Sequence, residues 1–259
     1  MPSVKAAPFS PPELAGRFAA AGAAAGFRVE QFGEVAAGPL LALTRRTPGP
    51  RPRIYLSAGI HGDEPAPPLA LLALLEAGLF DRRATWFLCP LLNPAGFTRG
   101  TRESAEGLDL NRDYRDPKSR EIRAHVAWLQ RQPNFDLALC LHEDWEATGF
   151  YLYELNPRGR RSVAEPVIAA VAAGFPIDPS EQIDGRPARA GIVRPGGDPL
   201  ARELWPEAIY LSDRHHSLSY TFETPSGLPL ERRLAAQRAA VGAVLALHLG
   251  SEPLAAKLA

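Results

Sequence analysis

Residues 56–66 read LSAGIHGDEPA, an apolar run that breaks abruptly into His61-Gly62-Asp63-Glu64. A histidine and a carboxylate three residues apart at the end of a strand can supply two ligands to a divalent metal, or can be no more than a polar loop. A second histidine, His142, closes another apolar run, FDLALCLHED at 135–144. Alone, such a histidine is more often a hydrogen-bonded structural residue. The three together, all at strand ends, leave a fourth tetrahedral position open, which is the arrangement of catalytic zinc. Bound zinc polarises a carbonyl and lowers the pKa of its water to ~7. Glu223, in SYTFETPSG, ends a further apolar run and offers a base that can take and return a proton, although by itself it could be a helix-cap carboxylate. The polar stretch 91–114, LLNPAGFTRGTRESAEGLDLNRDY, carries Arg99, Arg102 and Arg112. Guanidinium groups bind carboxylates bidentately, so several of them beside a metal suggest a substrate with a free carboxylate; the plain alternative is a solvated loop.

The surrounding elements must bring these residues together. Ser10-Pro11-Pro12-Glu13 has the form of a capping box at the start of a first helix. FRVEQFGEV and PLLALTRR read as a strand pair. Apolar strands RIYLSAGI, ATWFLCPLL, FDLALCL and FYLYEL then follow, with helices EPAPPLALLALLEAG, DPKSREIRAHVAWLQRQ (capped by Asp116, Pro117 in the first turn) and 161–173 among them. AIYLS and SLSYTFET look like short strands, and 229–249 forms a closing helix. Continuous apolar strands separated by helices predict a largely parallel sheet covered on both faces. In such sheets ligands sit beyond the carboxyl ends of the strands. Two neighbouring parallel strands would therefore deliver His61, Glu64 and His142 to one spot.

No composition shift marks a boundary, so one domain is expected over residues 1–259, with the Pro/Gly/Arg-rich stretch 174–206 as a loop covering the site. The 29 basic and 29 acidic residues balance, which gives no electrostatic reason to expect nucleic acid or an anionic membrane as partner. Cys89 and Cys140 lie inside apolar runs and read as buried thiols, consistent with a reducing, cytoplasmic setting. No signal peptide is expected, and no apolar run reaches the ~18 residues of a membrane span.

HGDE, then NPAGFTRGTRESAEGLDLNRDY, then the histidine of LCLHED, then TFETP, in that order, resemble the zinc carboxypeptidase family. The similarity is strongest to the small bacterial members, including murein-peptide amidases, and to the related succinylglutamate desuccinylases and aspartoacylases. The resemblance covers roughly residues 50 to 245. It implies a mixed, mostly parallel sheet of about eight strands with helices on both sides and one zinc ion per chain. It further implies His61, Glu64 and His142 as zinc ligands, with Asp109 orienting the first histidine. Asn111 and Arg112 would grip the substrate carboxylate, Arg102 would stabilise the oxyanion and Glu223 would be the general base.

The expected function is hydrolysis of an amide bond next to a free carboxylate, on a small peptide or an N-acyl amino acid. Desuccinylases and aspartoacylases typically add a β-rich C-terminal domain. Here 36 residues follow Glu223 and read as a helix, which favours the compact peptidase form. A non-catalytic metal- or peptide-binding protein is the remaining alternative. Several residues stay open. Tyr210 and Tyr220 are candidates for the tyrosine that family peptidases place over the substrate. Glu143 and Asp144 could favour a cationic substrate group or simply bond the loops. His215-His216 lack ligand spacing. Arg186, Arg189 and Arg194 are either specificity residues or solvated surface.

Overall fold

The computed structural model describes residues 9–250, so the ends of the 1–259 unit lie outside the described residues. Helix α1 (Pro11–Ala24) begins as expected: Ser10 Oγ accepts from Glu13 N, and the Glu13 carboxylate accepts from Ser10 N. Next come β1 (Arg28–Val35), β2 (Gly38–Arg45), β3 (Arg53–Ser57), α2 (Ala66–Glu76), β4 (Thr85–Cys89), α3 (Pro94–Arg99) and α4 (Arg120–Leu129). They are followed by β5 (Leu137–Asp144), β6 (Tyr151–Leu155), α5 (Ala164–Ala172), β7 (Gln182–Ile183), β8 (Arg186–Arg189) and β9 (Ile192–Val193). Helix α6 (Glu207–Arg214), β10 (Leu218–Pro225) and α7 (Leu230–Leu249) are the last elements among the described residues.

The strands form one sheet in the order β1-β2-β4-β3-β5-β10-β6-β9-β8-β7. Its centre, β4-β3-β5-β10, is parallel. The expectation of about eight mostly parallel strands is corrected: the described residues form 10 strands, and β1-β2, β2-β4, β10-β6, β9-β8 and β8-β7 pair antiparallel. One cause is local. Only residues 145–150 separate β5 from β6, too few for the parallel crossover of a dozen or more residues, so the chain must turn back. The other is that 174–206 is not all loop. It contributes β7, β8 and β9, which are too short to carry an apolar alternation.

Two further expectations change. AIYLS lies in α6, not in a strand; a short apolar run does not by itself separate the two states. The cap of α4 is Ser119, whose Oγ accepts from Ile122 N, and not Asp116.

Strand alternation sorts the core. Ile54, Leu56, Leu137, Leu139, Leu141, Tyr220 and Phe222 pack with α1, α2, α5 and α7. Tyr55, Phe87, Ala138 and Cys140 pack with α4 and α6 on the opposite face. Helices thus cover both faces, as expected, and Cys89 and Cys140 are buried free thiols. Among the described residues, no helix is long and apolar enough to cross a membrane.

Candidate active site

Strands β3 and β5 are the parallel neighbours anticipated above, and their pairing stops at Ser57 and Cys140. Past that point the chain leaves β3 toward the HGDE loop while β5 runs on. His142 is accordingly within β5, not after it, but beyond the end of its β3 neighbour. On the other side of β5, Glu223 of β10 pairs directly with His142. Both follow the alternation of Ala138 and Cys140, so both point to the α4/α6 face. The HGDE loop packs against the middle of α3 and the residues just after it: Gly62 N donates to Thr101 O at 3.0 Å. A Cβ on Gly62 would fall 1.8 Å from the Gly96 carbonyl carbon and 2.1 Å from Phe97 N, backbone atoms that cannot move aside, so only glycine fits.

This scaffold gathers one donor atom each from His61, Glu64 and His142 within 4.8 Å of one another. All three residues are buried. His61 Nδ1 lies 2.5 Å from Glu64 Oε1, and His142 Nδ1 lies 3.1 Å from Glu64 Oε2. Burial would raise the Glu64 carboxyl, yet the two imidazoles hold it well below the usual range. Burial disfavours charge on His61, but Glu64 and Asp109 outweigh it and raise the imidazole pKa.

The donor set fits a zinc ion. Asp109 Oδ1 sits 3.3 Å from His61 Nε2, which assigns the ring proton to that nitrogen and leaves the Nδ1 lone pair facing a carboxylate oxygen. Nδ1 of His61 and the Glu64 carboxylate are thereby free to act as ligands, and two imidazoles with one carboxylate suit zinc.

Arg102 stands beside this cluster. Its Nε donates to Asp109 Oδ2 at 3.0 Å, and its Nη1 is 3.2 Å from His61 Nδ1. Burial opposes ionisation of Asp109, but His61 and Arg102 hold its carboxyl far below the ordinary value. Asn111 and Arg112 occupy a single 3-10 turn, Leu110–Arg112, capped by Asp109. Asn111 Oδ1 accepts from Glu207 N at 2.9 Å, while its Nδ2 has no partner among the described residues. Glu223 is half-buried and makes no hydrogen bond or ion pair among them. Burial pushes its carboxyl well up, His142 opposes, and Glu64 and Asp144 reinforce the rise. His61, Glu64, His142, Arg102, Asn111, Arg112 and Glu223, but not Asp109, line one cavity of about 410 Å³, within the range of small-molecule sites.

Other candidates lie elsewhere. Arg99 donates to Ser104 O, outside the cavity lining. Arg194 pairs with Glu154 and Glu165, and Arg189 does not line the cavity. His215 stacks on Phe135 with ring centroids 4.5 Å apart and has no contact with the metal-ligand cluster. Neither expected tyrosine covers the site: Tyr220 Oη is turned to Val163 N, and Tyr210 packs against Tyr114. Tyr151 and Tyr153 of β6 line the cavity instead, and their spacing in FYLYEL, two apart on one strand face, is the signal that could have found them. From 174–206, Asp184, Arg186 and Arg202 also line the cavity.

A family model described as the succinylglutamate desuccinylase/aspartoacylase catalytic domain matches residues 50–189. No protein of curated function matches the chain. Among solved structures, the chain is similar to a protein from Shewanella amazonensis SB2B provisionally named a metallopeptidase. Identity is 26% and the TM-score 0.80, over 90% of this chain and 91% of that one. A protein from Shewanella baltica OS155, named in the same way, shares 25% identity with a TM-score of 0.79, over 90% and 91% of the two chains. The metallo-carboxypeptidase from Pseudomonas aeruginosa, solved with (2-guanidinoethylmercapto)succinic acid, shares the fold. Its identity is 22% and its TM-score 0.64, over 90% of this chain and 69% of that one.

Proposed function

The chain belongs to the succinylglutamate desuccinylase/aspartoacylase catalytic-domain family, and from that premise we propose that it is a zinc-dependent hydrolase cleaving an amide bond next to a free carboxylate. The observation that carries this reading is Glu223. It is an unpartnered carboxylate set beside His142 on the neighbouring strand, facing the cavity that the His61-Glu64-His142 cluster also faces.

Zinc held by His61, Glu64 and His142 would supply Lewis acidity to the scissile carbonyl and to a water molecule. Glu223 takes the proton of that water and returns it to the departing amine. Its raised proton affinity suits a group that must keep the proton between the two steps. Arg102, its Nε fixed by Asp109 beside the cluster, would stabilise the negative charge that grows on the carbonyl oxygen. The free Nδ2 of Asn111 and the guanidinium of Arg112 hold the substrate carboxylate.

Peptide and N-acyl amino acid substrates both satisfy this chemistry. The family description favours the N-acyl reading, and the names of the two Shewanella proteins favour the peptidase reading. Assaying dipeptides, murein tripeptide and N-acetyl- and N-succinyl-amino acids side by side separates them. Glu223→Gln should keep about one zinc per chain and lower kcat by roughly 10²–10⁴-fold. Near-normal turnover in that variant would overturn the mechanism. A chain that cannot be loaded with zinc would point to a non-catalytic binding protein.

A further inference from the structure

The side-chain amide of Asn111 has two ends of nearly the same shape and opposite polarity. Nδ2 donates and suits a carboxylate, whereas Oδ1 accepts and would repel one. Among the described residues, one contact decides which end faces the cavity: Glu207 N donates to Asn111 Oδ1 at 2.9 Å. A backbone N–H only donates, so it takes the oxygen and leaves Nδ2 free for a substrate. That N–H is a first-turn donor of α6, whose N-cap, Pro206, offers no side-chain bond. Asn111 therefore completes the helix end while the helix end orients Asn111.

The Glu207 side chain fixes that N–H in place. It is fully buried, its Oε1 accepts from Tyr55 Oη at 2.6 Å, and its Oε2 accepts from Ser57 Oγ at 2.7 Å. Both donors belong to β3, the strand that runs on into the HGDE loop. The bonds behind them share one direction. Tyr55 gives its proton to Glu207, so its Oη accepts from His125 Nε2, 3.0 Å away, and His125 Nδ1 accepts from Tyr114 Oη at 2.8 Å. Every polar hydrogen in this chain points toward the carboxylate, as an acceptor-only, ionised group requires. A carboxylate this deep is costly to bury, and the metal chemistry makes no use of it. We propose that Glu207 is a positioning residue: its carboxylate ties the first turn of α6 to β3, and its N–H thereby holds Asn111 with Nδ2 toward the substrate carboxylate. This rests on the hydrolase reading above. The grip on the substrate and the strand leading to His61 are set in one frame because both meet on Glu207.

The test is a double-mutant cycle read by calorimetry on the zinc-loaded protein carrying Glu223→Gln, so that ligands bind without turnover. The quantity is the preference for N-acetylglycine over N-acetylglycinamide, which differ only in the free carboxylate. Glu207→Ala should lower that preference by about fivefold or more, the effect of losing a hydrogen bond. Added to Asn111→Ala, it should change the preference by no more than about twofold, because its effect runs through Asn111. Glu207→Gln, which keeps an acceptor for Tyr55 Oη, should stay within about twofold of the starting protein. Thermal unfolding confirms the fold of each. Should Glu207→Ala fail to fold, Tyr55→Phe and Ser57→Ala each remove one bond to the carboxylate, and at least one should lower the preference only when Asn111 is present. Equal affinities in the starting protein, a preference unmoved by these variants, or a loss of the same size with and without Asn111 would overturn the positioning role. Hydrolysis of the dipeptides, murein tripeptide and N-acyl amino acids tests the underlying reading separately. If none is cleaved while the cycle behaves as expected, the hydrolase reading fails and the positioning role survives.

Discussion

His142 and Glu143 are neighbours in the chain and both almost fully buried, yet they meet opposite surroundings. His142 points to the α4/α6 face, toward Glu64, with Glu223 alongside on β10, and its environment opens into the cavity. Glu143 also borders the cavity, but its carboxylate oxygens turn to the α2/α7 face, where they are taken up by the protein. Oε1 accepts from Arg233 Nη1 at 2.6 Å and from Thr224 Oγ1 at 3.4 Å, and Oε2 accepts from Ala66 N at 2.9 Å. Burial pushes the Glu143 carboxyl up to about 7, with Arg233 pulling against it. Gln237 Nε2 donates to His142 O at 2.7 Å and so ties the sealed side to the open one. Closeness in sequence to a candidate ligand therefore says little about role. What separates the two is whether the protein itself completes the polar group or leaves it facing a space that a ligand can enter.

The contrast can be broken by substitution on either side. The largest effect should come from His142→Ala: zinc content should drop far below one per chain, and activity should fall by more than the roughly 10–100-fold typical of losing an outer-sphere partner. Metal analysis and kcat/KM measure this, and retained zinc would remove His142 from the ligand set. Glu143→Ala should act in the other way. Leaving Arg233 without its carboxylate should destabilise the fold by about 3 kcal/mol in urea denaturation, while the folded protein still takes up zinc. Loss of zinc without loss of stability would erase the distinction between the faces.

A smaller effect concerns a sealed cluster on the α4/α6 face itself. His125 lies between Tyr55 Oη, 3.0 Å from Nε2, and Tyr114 Oη, 2.8 Å from Nδ1. Burial, with a lesser push from His215, drives its pKa down to about 3. In the unfolded chain the group titrates near 6.5, so between those values the unfolded state binds the extra proton. Its contribution is full above about pH 6.5 and is lost as pH falls toward 3, at roughly 1 kcal/mol per pH unit. Urea midpoints taken with chelator from pH 7.5 to 5 should decline, and His125→Gln should flatten that decline. An unchanged slope in the variant would show that His125 is not held neutral.

Much of the site was legible because its signals are local. His61 and Glu64 are three residues apart on one loop, and Asp109, Asn111 and Arg112 share one turn. The parallel neighbours β3 and β5 followed from their continuous apolar runs. What escaped was governed by distant pairing. β6 turned out antiparallel beside β10, which carried Tyr151 and Tyr153 into the cavity in place of Tyr210 and Tyr220. The short strands of 174–206 have no periodic pattern to read, so the division between Arg186 and Arg202, on the cavity, and Arg189 and Arg194, off it, was invisible.

The amino-acid order alone determined which residue types were on hand for chemistry, that the central strands would be buried on both faces, and that a glycine would sit inside the HGDE loop. Tertiary structure decided the rest: that His142 and Glu223 share a face, that Glu143 is neutralised away from it, and which arginines line the cavity. The reason is physical. Side-chain composition and strand alternation are carried by neighbouring residues, whereas register and strand order depend on contacts between segments tens of residues apart. A shift of one residue in that register would have exchanged His142 for Glu143.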